Sequence, residues 1–270
     1  MKNYLFFTLL AFVYIRPTNA QNHLQDQLIV ALTNPGKPGI LDINLVYGSI
    51  HITGYTGQEV IVDAVSLNAS DSRGAGHADS GLRKVTKGNP LGLSAEEENN
   101  QIKIKTNSSV SPVNLTVKVP HRISLKLRTY DRGEITVNNV IGDLEVENLG
   151  GPINLVNIGG SVVANTYKGL IKASLQLSQS IKPMAFTSIG GRIDITYPAL
   201  VKASLKVKSQ QGDVFSDIDL GKGSTKTIRS VEPGRTYSSL DDWLYGKLNG
   251  GGPIIMINSY LGDIYLKKAE

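Results

Sequence analysis

Between Gly133 and Ala173, apolar residues recur two and four places after glycines that stand nine residues apart. The glycines are Gly133, Gly142, Gly151, Gly160 and Gly169, and the apolar pairs behind them are Ile135/Val137, Leu144/Val146, Ile153/Leu155, Val162/Ala164 and Ile171/Ala173. Alternation with a period of two predicts a strand with one buried face, and glycine suits a corner where a side chain would crowd or φ turns positive. Each block therefore reads as one strand plus one bend. A unit this small cannot bury its apolar face alone, so successive blocks must stack and share a core. The expected fold is all-β: a single-stranded β-solenoid (β-helix), with two or three blocks to a coil and rungs about 4.8 Å apart.

The same turn-then-alternation pattern returns with looser spacing at Gly48, Gly191, Gly212 and Gly262, and further alternating strands are expected over 58–67, 101–105, 113–119, 124–128 and 204–207. Helical periodicity of any length is missing; the one candidate helix start is Ser238 to Leu244, closely followed by Gly246 and Gly250. Two stretches rich in Gly, Ser and charge, about 68–89 and 221–252, read as inserted loops projecting from the stack. Residues 1–20, with Lys2, an apolar run from Tyr4 to Ile15 and a small residue at Ala20, fit a signal peptide. Residues 21–270 then form a single domain, exported to the periplasm, the outer cell surface or the medium, with no transmembrane segment.

Six places after the repeated glycines stand Asn139, Asn148 and Asn157, then Thr166. Asn tolerates the left-handed region and can hydrogen-bond along a stack, so a structural ladder is expected there. The chain has 270 residues, no Cys, and a formal net charge of +5, or +3 without Lys2 and Arg16. Disulfide scaffolds, thiolate metal sites and cysteine nucleophiles are thereby excluded. The cations are scattered among Asp and Glu, and the one basic stretch, Lys222 to Arg235, is diluted by Gly and Ser, so nucleic acid is not an expected partner.

Little else in the sequence carries chemistry. The nine-residue blocks lack the Gly-Gly-x-Gly-x-Asp pattern of calcium-binding rolls, since only Asp143 supplies an Asp. The histidines at 23, 51, 77 and 121 share no metal-ligand spacing, His77 between Asp71 and Asp79 reads as a loop residue, and no cofactor is expected. Gly221-Lys-Gly-Ser-Thr only partly resembles a phosphate loop, and no Gly-x-Ser-x-Gly elbow exists. Asp217 and Asp219, two apart, would share one side of a strand, and Asp194 and Asp213 could lie on adjacent rungs; both pairs read as solvent-facing acids rather than a catalytic pair. Asn68, Asn107 and Asn114 head Asn-x-Ser/Thr sequons of little weight. No catalytic, cofactor-binding or metal-binding residue is assigned.

Several motifs together resemble a known group: Gly48-Ser-Ile-His-Ile-Thr-Gly-Tyr-Thr-Gly-Gln-Glu-Val-Ile-Val, Val119-Pro120 ahead of Ser124-Leu-Lys-Leu, Gly151-Pro-Ile-Asn-Leu, Pro183-Met-Ala-Phe-Thr, Ser216-Asp-Ile-Asp and Asn249-Gly-Gly-Gly-Pro. The chain is similar, from about Gln27 to Lys268, to the bacterial putative-adhesin family of β-solenoid domains, related to the head domains of auto-transporter adhesins. Relatives tend to have Asn-Gly or Ser-Gly corners where this chain has Ile189-Gly190-Gly191 and Leu261-Gly262. The resemblance implies an exported all-β protein of the Gram-negative envelope, and brings no catalytic set with it. The expected function is non-enzymatic: an adhesin or a binding and scaffolding module for an envelope or extracellular glycan or protein, with Tyr245, Tyr260 and Tyr265 as contact aromatics. A polysaccharide-cleaving enzyme built on Asp217 and Asp219, and a periplasmic module sensing envelope state, are the alternatives.

Overall fold

Alternation governs burial along the strands. In Gln101–Lys105 the two isoleucines are buried while Gln101, Lys103 and Lys105 face solvent, and Val113–Pro120 and Ser124–Asp131 follow the same rule. The computed structural model describes residues 24–66, 91–109, 111–131, 133–176, 182–222, 228–232, 235–239 and 243–269, and among these there is no helix. The strands form a ten-stranded and an eleven-stranded mixed sheet and a separate two-stranded hairpin. The inward faces of the two large sheets share one core of Leu, Ile and Val, with Phe186 its largest fully buried side chain.

The nine-residue blocks alternate between the sheets. Ile135–Asn138, Ile153–Ile158 and Ile171–Leu175 pair side by side in the ten-stranded sheet, with Ile135, Ile153 and Ile171 in register. Leu144–Asn148 and Val162–Thr166 pair likewise in the eleven-stranded sheet. Two blocks thus complete one winding, and all of these neighbours run parallel.

At both ends the structure departs from the expected single-stranded solenoid. The layer formed by Ile40–Tyr47 and Ile50–Tyr55 does not lie outermost. It is sandwiched between the layer of Gln101–Lys105 and Val113–Pro120 and that of Ser124–Asp131 and Ile135–Asn138. Likewise Ile254–Ser259 and Ile264–Lys268 slot between Met184–Ser188 and Ile193–Tyr197 on one side and Ala203–Ser209 and Val214–Ser216 on the other. Outside these layers the pairing turns antiparallel, through Leu24–Ala31, Glu59–Ser66 and Ser94–Glu98 at one end and Leu244–Leu248 at the other. The physical reason is the open ladder: an outermost strand leaves a row of unpaired N–H and C=O groups, whereas a layer entered between two others has both of its edges paired.

Two further expectations are corrected. The stretch 221–252 is not a plain loop, because Gly221–Lys222 and Leu244–Leu248 extend the eleven-stranded sheet and Ile228–Glu232 pairs with Arg235–Ser239 as a hairpin. The helix start from Ser238 fails for the same reason, since Ser238 and Ser239 end one strand and Leu244 begins another. The expected insertion 68–89 and the expected signal peptide 1–20 lie outside the described residues.

Glycine is demanded at the corners by close approach. A Cβ on Gly133, Gly151, Gly169, Gly191 or Gly262 would overlap the carbonyl oxygen of Gly48, Gly133, Gly151, Gly169 or Gly191 respectively, which is the same file one layer away. The opposite corner repeats the constraint with Gly160 against the carbonyl of Gly142, whereas its neighbour Gly159 has room, the nearest atom to an added Cβ being 3.5 Å away. Gly160→Ala is therefore expected to destabilise by about 3 kcal/mol, as overpacking against rigid backbone does, and Gly159→Ala by less than about 0.5 kcal/mol. Urea denaturation of the two variants checks this contrast.

Candidate functional site

Where the chain turns from the eleven- to the ten-stranded sheet, a polar side chain points inward three residues before Gly151, Gly169, Gly191, Gly212 and Gly262. Asn148 is fully buried: its Oδ1 accepts the Gly151 N–H at 2.9 Å, and its Nδ2 donates to the carbonyls of Gly133 at 2.9 Å and Pro152 at 3.0 Å. Thr166 accepts from Gly169 at 3.0 Å, Ser188 from Gly191 at 2.9 Å, Ser209 from Gly212 at 3.0 Å and Ser259 from Gly262 at 3.0 Å. These residues stack in register, Thr129 beside Asn148, then Thr166, Ser188, Ser259 and Ser209. The single Asn ladder expected from the sequence is two files. Asn139 and Asn157 occupy the opposite corner with φ of 58° and 55°, joined by an Asn157 Nδ2 to Asn139 Oδ1 bond of 3.1 Å.

The residue after each inward hook faces the other way. Tyr130, Leu149, Tyr167, Ile189 and Tyr260 are each between 41% and 48% exposed, and they occupy successive layers. Their backbones are tied rung to rung: the N–H of Leu149 donates to Thr129 at 3.0 Å, that of Ile189 to Thr166 at 3.2 Å, and that of Tyr260 to Ser188 at 3.0 Å. The result is an exposed apolar ridge about 19 Å long, with rungs of about 4.8 Å and a tyrosine on every second one. Tyr47 and Leu261, also exposed, widen it towards its ends. A continuous exposed apolar file of this kind is characteristic of contact surfaces.

The tyrosines singled out from the sequence do not gather. Tyr260 lies on this ridge, Tyr245 is on the edge-proximal Leu244–Leu248 strand beside Lys206, and Tyr265 is on the outer face of the ten-stranded sheet. There Phe215 stacks on Tyr265 with ring centres 4.7 Å apart, and Arg192 and Lys267 approach the ring to 5.1 and 5.7 Å. A nine-residue frame mixes two corners and so does not single out Tyr130 and Tyr167. Read at eighteen residues, the seventh place after Gly142 and Gly160 gives Leu149 and Tyr167 directly.

The paired acids are held by the scaffold. Asp217 and Asp219 lie beyond the short strand Val214–Ser216, so they do not share a strand face. Asp217 accepts a hydrogen bond from the Tyr197 hydroxyl on one carboxylate oxygen and the Lys268 N–H at 2.6 Å on the other. Asp194 and Asp213 are not on adjacent rungs, because Ile264–Lys268 runs between their strands; Asp194 faces Tyr265 and an Arg192 ion pair of 3.7 Å. A groove of about 430 Å³ on the outer face of the eleven-stranded sheet carries Asp143, Glu145 and Glu147, each matched to a cation. Lys182 sits 2.6 Å from Asp143, and Arg128 lies 3.2 Å from both glutamates. Partial burial pushes the Asp143 carboxyl up, but the Lys182 ammonium and the Ser161 N–H outweigh it and hold the group below the ordinary aspartate range. A general acid needs the opposite shift.

Asn114 is half-buried with its Oδ1 accepting the Ser49 N–H at 3.0 Å, and His51 lies 3.7 Å from Glu134. Among the described residues no three His, Asp or Glu side chains converge as metal ligands, and no helix is long and apolar enough to cross a membrane. Asn68, Asp71, His77, Asp79 and most of the Gly221-Lys-Gly-Ser-Thr segment lie outside the described residues.

No known family pattern and no curated protein matches the chain. Among solved structures, a putative cell adhesion protein from Clostridium sporogenes matches over 92% of this chain and 100% of its own, with a TM-score of 0.50 and 11% identity. A putative adhesin from Bacteroides fragilis matches over 94% of this chain and 100% of its own, with a TM-score of 0.36 and 14% identity. The first of these shows a shared fold.

The Tyr197–Asp217 contact has a measurable consequence. Burial first, then the Asp217 carboxylate that accepts its proton, push the Tyr197 phenol well above the ordinary tyrosine range. The unfolded chain releases that proton near pH 10 and the folded chain keeps it, so the stabilisation is complete below about pH 10 and lost as pH rises. Urea midpoints measured from pH 9 to 11.5 should fall above pH 10, with Tyr197 contributing up to about 1.4 kcal/mol per pH unit. Tyr197→Phe should remove that part of the slope; an unchanged slope in the variant refutes the assignment.

Proposed function

We propose that this protein is a non-enzymatic, adhesin-like binding module of the cell envelope, and that the corner ridge from Tyr130 to Tyr260 is its contact surface for an extended glycan or protein. The observation that carries the reading is the file of five large apolar side chains on successive layers, each more than two-fifths exposed. A rigid line of tyrosines alternating with aliphatic residues offers contact area at little cost in side-chain entropy, which is what recognition of an elongated partner needs. The fold likeness to a protein named as a putative cell adhesion protein supports it. So does the resemblance of the motifs to the putative-adhesin family, and the pattern of residues 1–20 supports export. The carboxylates give the polysaccharide-cleaving alternative little help, since those of Asp143, Glu145, Glu147 and Asp217 are committed to cations or backbone.

The test is retention of the purified protein on arrays of immobilised bacterial and host glycans and extracellular matrix proteins. Wild type should bind at least one of them, and the triple variant Tyr130→Ser/Tyr167→Ser/Tyr260→Ser should lose at least tenfold while unfolding within a few degrees of wild type, as expected for exposed positions. Binding that survives in the triple variant would move the surface elsewhere. Release of new reducing ends or unsaturated sugars would replace this reading with the enzymatic one.

A further inference from the structure

On the opposite corner from the ridge, where the chain passes from the ten- to the eleven-stranded sheet, a pocket of about 230 Å³ opens between the turns 55–58 and 120–123 and the loop that carries Lys37. Its lining contains Lys37, His121 and Arg122 and no Asp or Glu. This is unlike the ion pairs elsewhere, where Lys105 meets Glu96, Arg128 meets Glu145 and Glu147, Lys182 meets Asp143 and Arg192 meets Asp194. Among the described residues, neither Lys37 nor Arg122 takes part in an ion pair. Lining side chains of one sign, set against a partly apolar wall, raise the local potential for an anion.

The geometry of the wall narrows the choice of anion. The Tyr55 hydroxyl donates to the Glu59 carbonyl at 2.9 Å, and its ring lies so close over Gly57 that a Cβ there would overlap it, so the ring is fixed in place. Leu32 and Ile123 add apolar surface, and Gln58 at the rim can hydrogen-bond hydroxyl groups. His121 is oriented as well: its Nδ1 lies 2.7 Å from the Asn139 carbonyl, which can only accept, so the Nδ1 carries the proton and Nε2 is the ring atom available to a ligand. Gly54 makes this possible, because a Cβ there would collide with the same carbonyl and crowd the imidazole.

We propose that this pocket binds one acidic sugar residue, a pyranose bearing a carboxylate or sulfate group. Its volume is below the roughly 300 Å³ at which pockets for larger ligands begin, and it suits a single six-membered ring. The Arg122 guanidinium offers the paired donors that match a planar carboxylate or two sulfate oxygens, with Lys37 as a second charge. The fixed Tyr55 ring packs against the C–H face of the sugar, and Gln58 takes a hydroxyl. A bare inorganic anion would make no use of the aromatic wall, and a neutral sugar would leave the cations unmatched. The pocket shares no residue with the ridge, so its failure and the ridge's failure are separate results.

Calorimetric titration of the purified protein at low salt with glucuronate, glucose 6-sulfate, glucose and inorganic sulfate tests the assignment. Glucuronate, glucose 6-sulfate or both should bind at least tenfold tighter than either glucose or inorganic sulfate, and raising the salt should weaken that binding. Which of the two acid sugars binds identifies the anionic group. Lys37→Gln/Arg122→Gln should lose at least tenfold with an unaltered circular dichroism spectrum, since both side chains are exposed. Tyr55→Leu, which keeps the charge, should also lose affinity for the acid sugar. Absence of binding by every probe, equal affinity for glucose or for inorganic sulfate, or undiminished binding in the double variant would overturn the proposal.

Discussion

The structure depends on how closely one corner can approach the next. At Gly133, Gly151, Gly169, Gly191 and Gly262 the glycine Cα sits against the carbonyl of the equivalent glycine in a neighbouring layer, leaving no volume for a Cβ. Three residues before Gly151, Gly169, Gly191, Gly212 and Gly262 an inward Asn, Thr or Ser takes the glycine's N–H, and in Asn148, Thr166, Ser188 and Ser209 it also donates to a corner glycine carbonyl of a neighbouring layer. Glycine and hook together fix the register of one layer on the next. Register decides everything else, because a shift of one residue would turn every Ile and Leu of a strand from the core to solvent.

Much of this was readable from the chain because it is local. Strands such as Gln101–Lys105 declare themselves by alternation, and the corner glycines by their spacing. What stayed hidden is non-local. A buried Ile looks the same on every rung, so nothing in the sequence says that Ile254–Ser259 enters between Met184–Ser188 and Ala203–Ser209. A nine-residue spacing also conceals that successive blocks meet two different corners, which is why Asn148 and Asn157 looked alike though one is a buried hook and the other a left-handed surface residue. Asp217 differs for a related reason: its two-residue spacing from Asp219 suggests a shared strand face, whereas the strand ends at Ser216 and the carboxylate turns back to accept from the Tyr197 hydroxyl and the Lys268 N–H.

The ends show the same economy of pairing. The layers Ile40–Tyr55 and Ile254–Lys268 each have a parallel neighbour on both sides, so release of either would break two ladders at once. Three of the four outermost strands of the large sheets are antiparallel to their neighbours, Val214–Ser216 being the exception. One of them, Ser94–Glu98, carries three successive glutamates: Glu96 pairs with Lys105, and Glu97 takes the N–H and hydroxyl of Thr33 and the N–H of Asn100. An acidic, internally committed edge is a poor template for another chain. That edge of the eleven-stranded sheet is therefore closed to growth, while the long corner edge of the stack stays open.

That open edge is where the fold and a function can be told apart. The scaffold asks for a polar hook facing in and a glycine three residues on, but it sets no requirement on the side chain between them that faces out. In the outermost layer that place is filled by Gln210, whose N–H donates to the Ser259 carbonyl at 3.0 Å just as the N–H of Tyr260 donates to Ser188. A polar residue thus fits the same backbone geometry without strain. Tyr130, Leu149, Tyr167, Ile189 and Tyr260 are apolar and exposed at positions where the architecture would accept Gln, and solubility would favour it. Their apolar character is the feature that the proposed contact surface rests on.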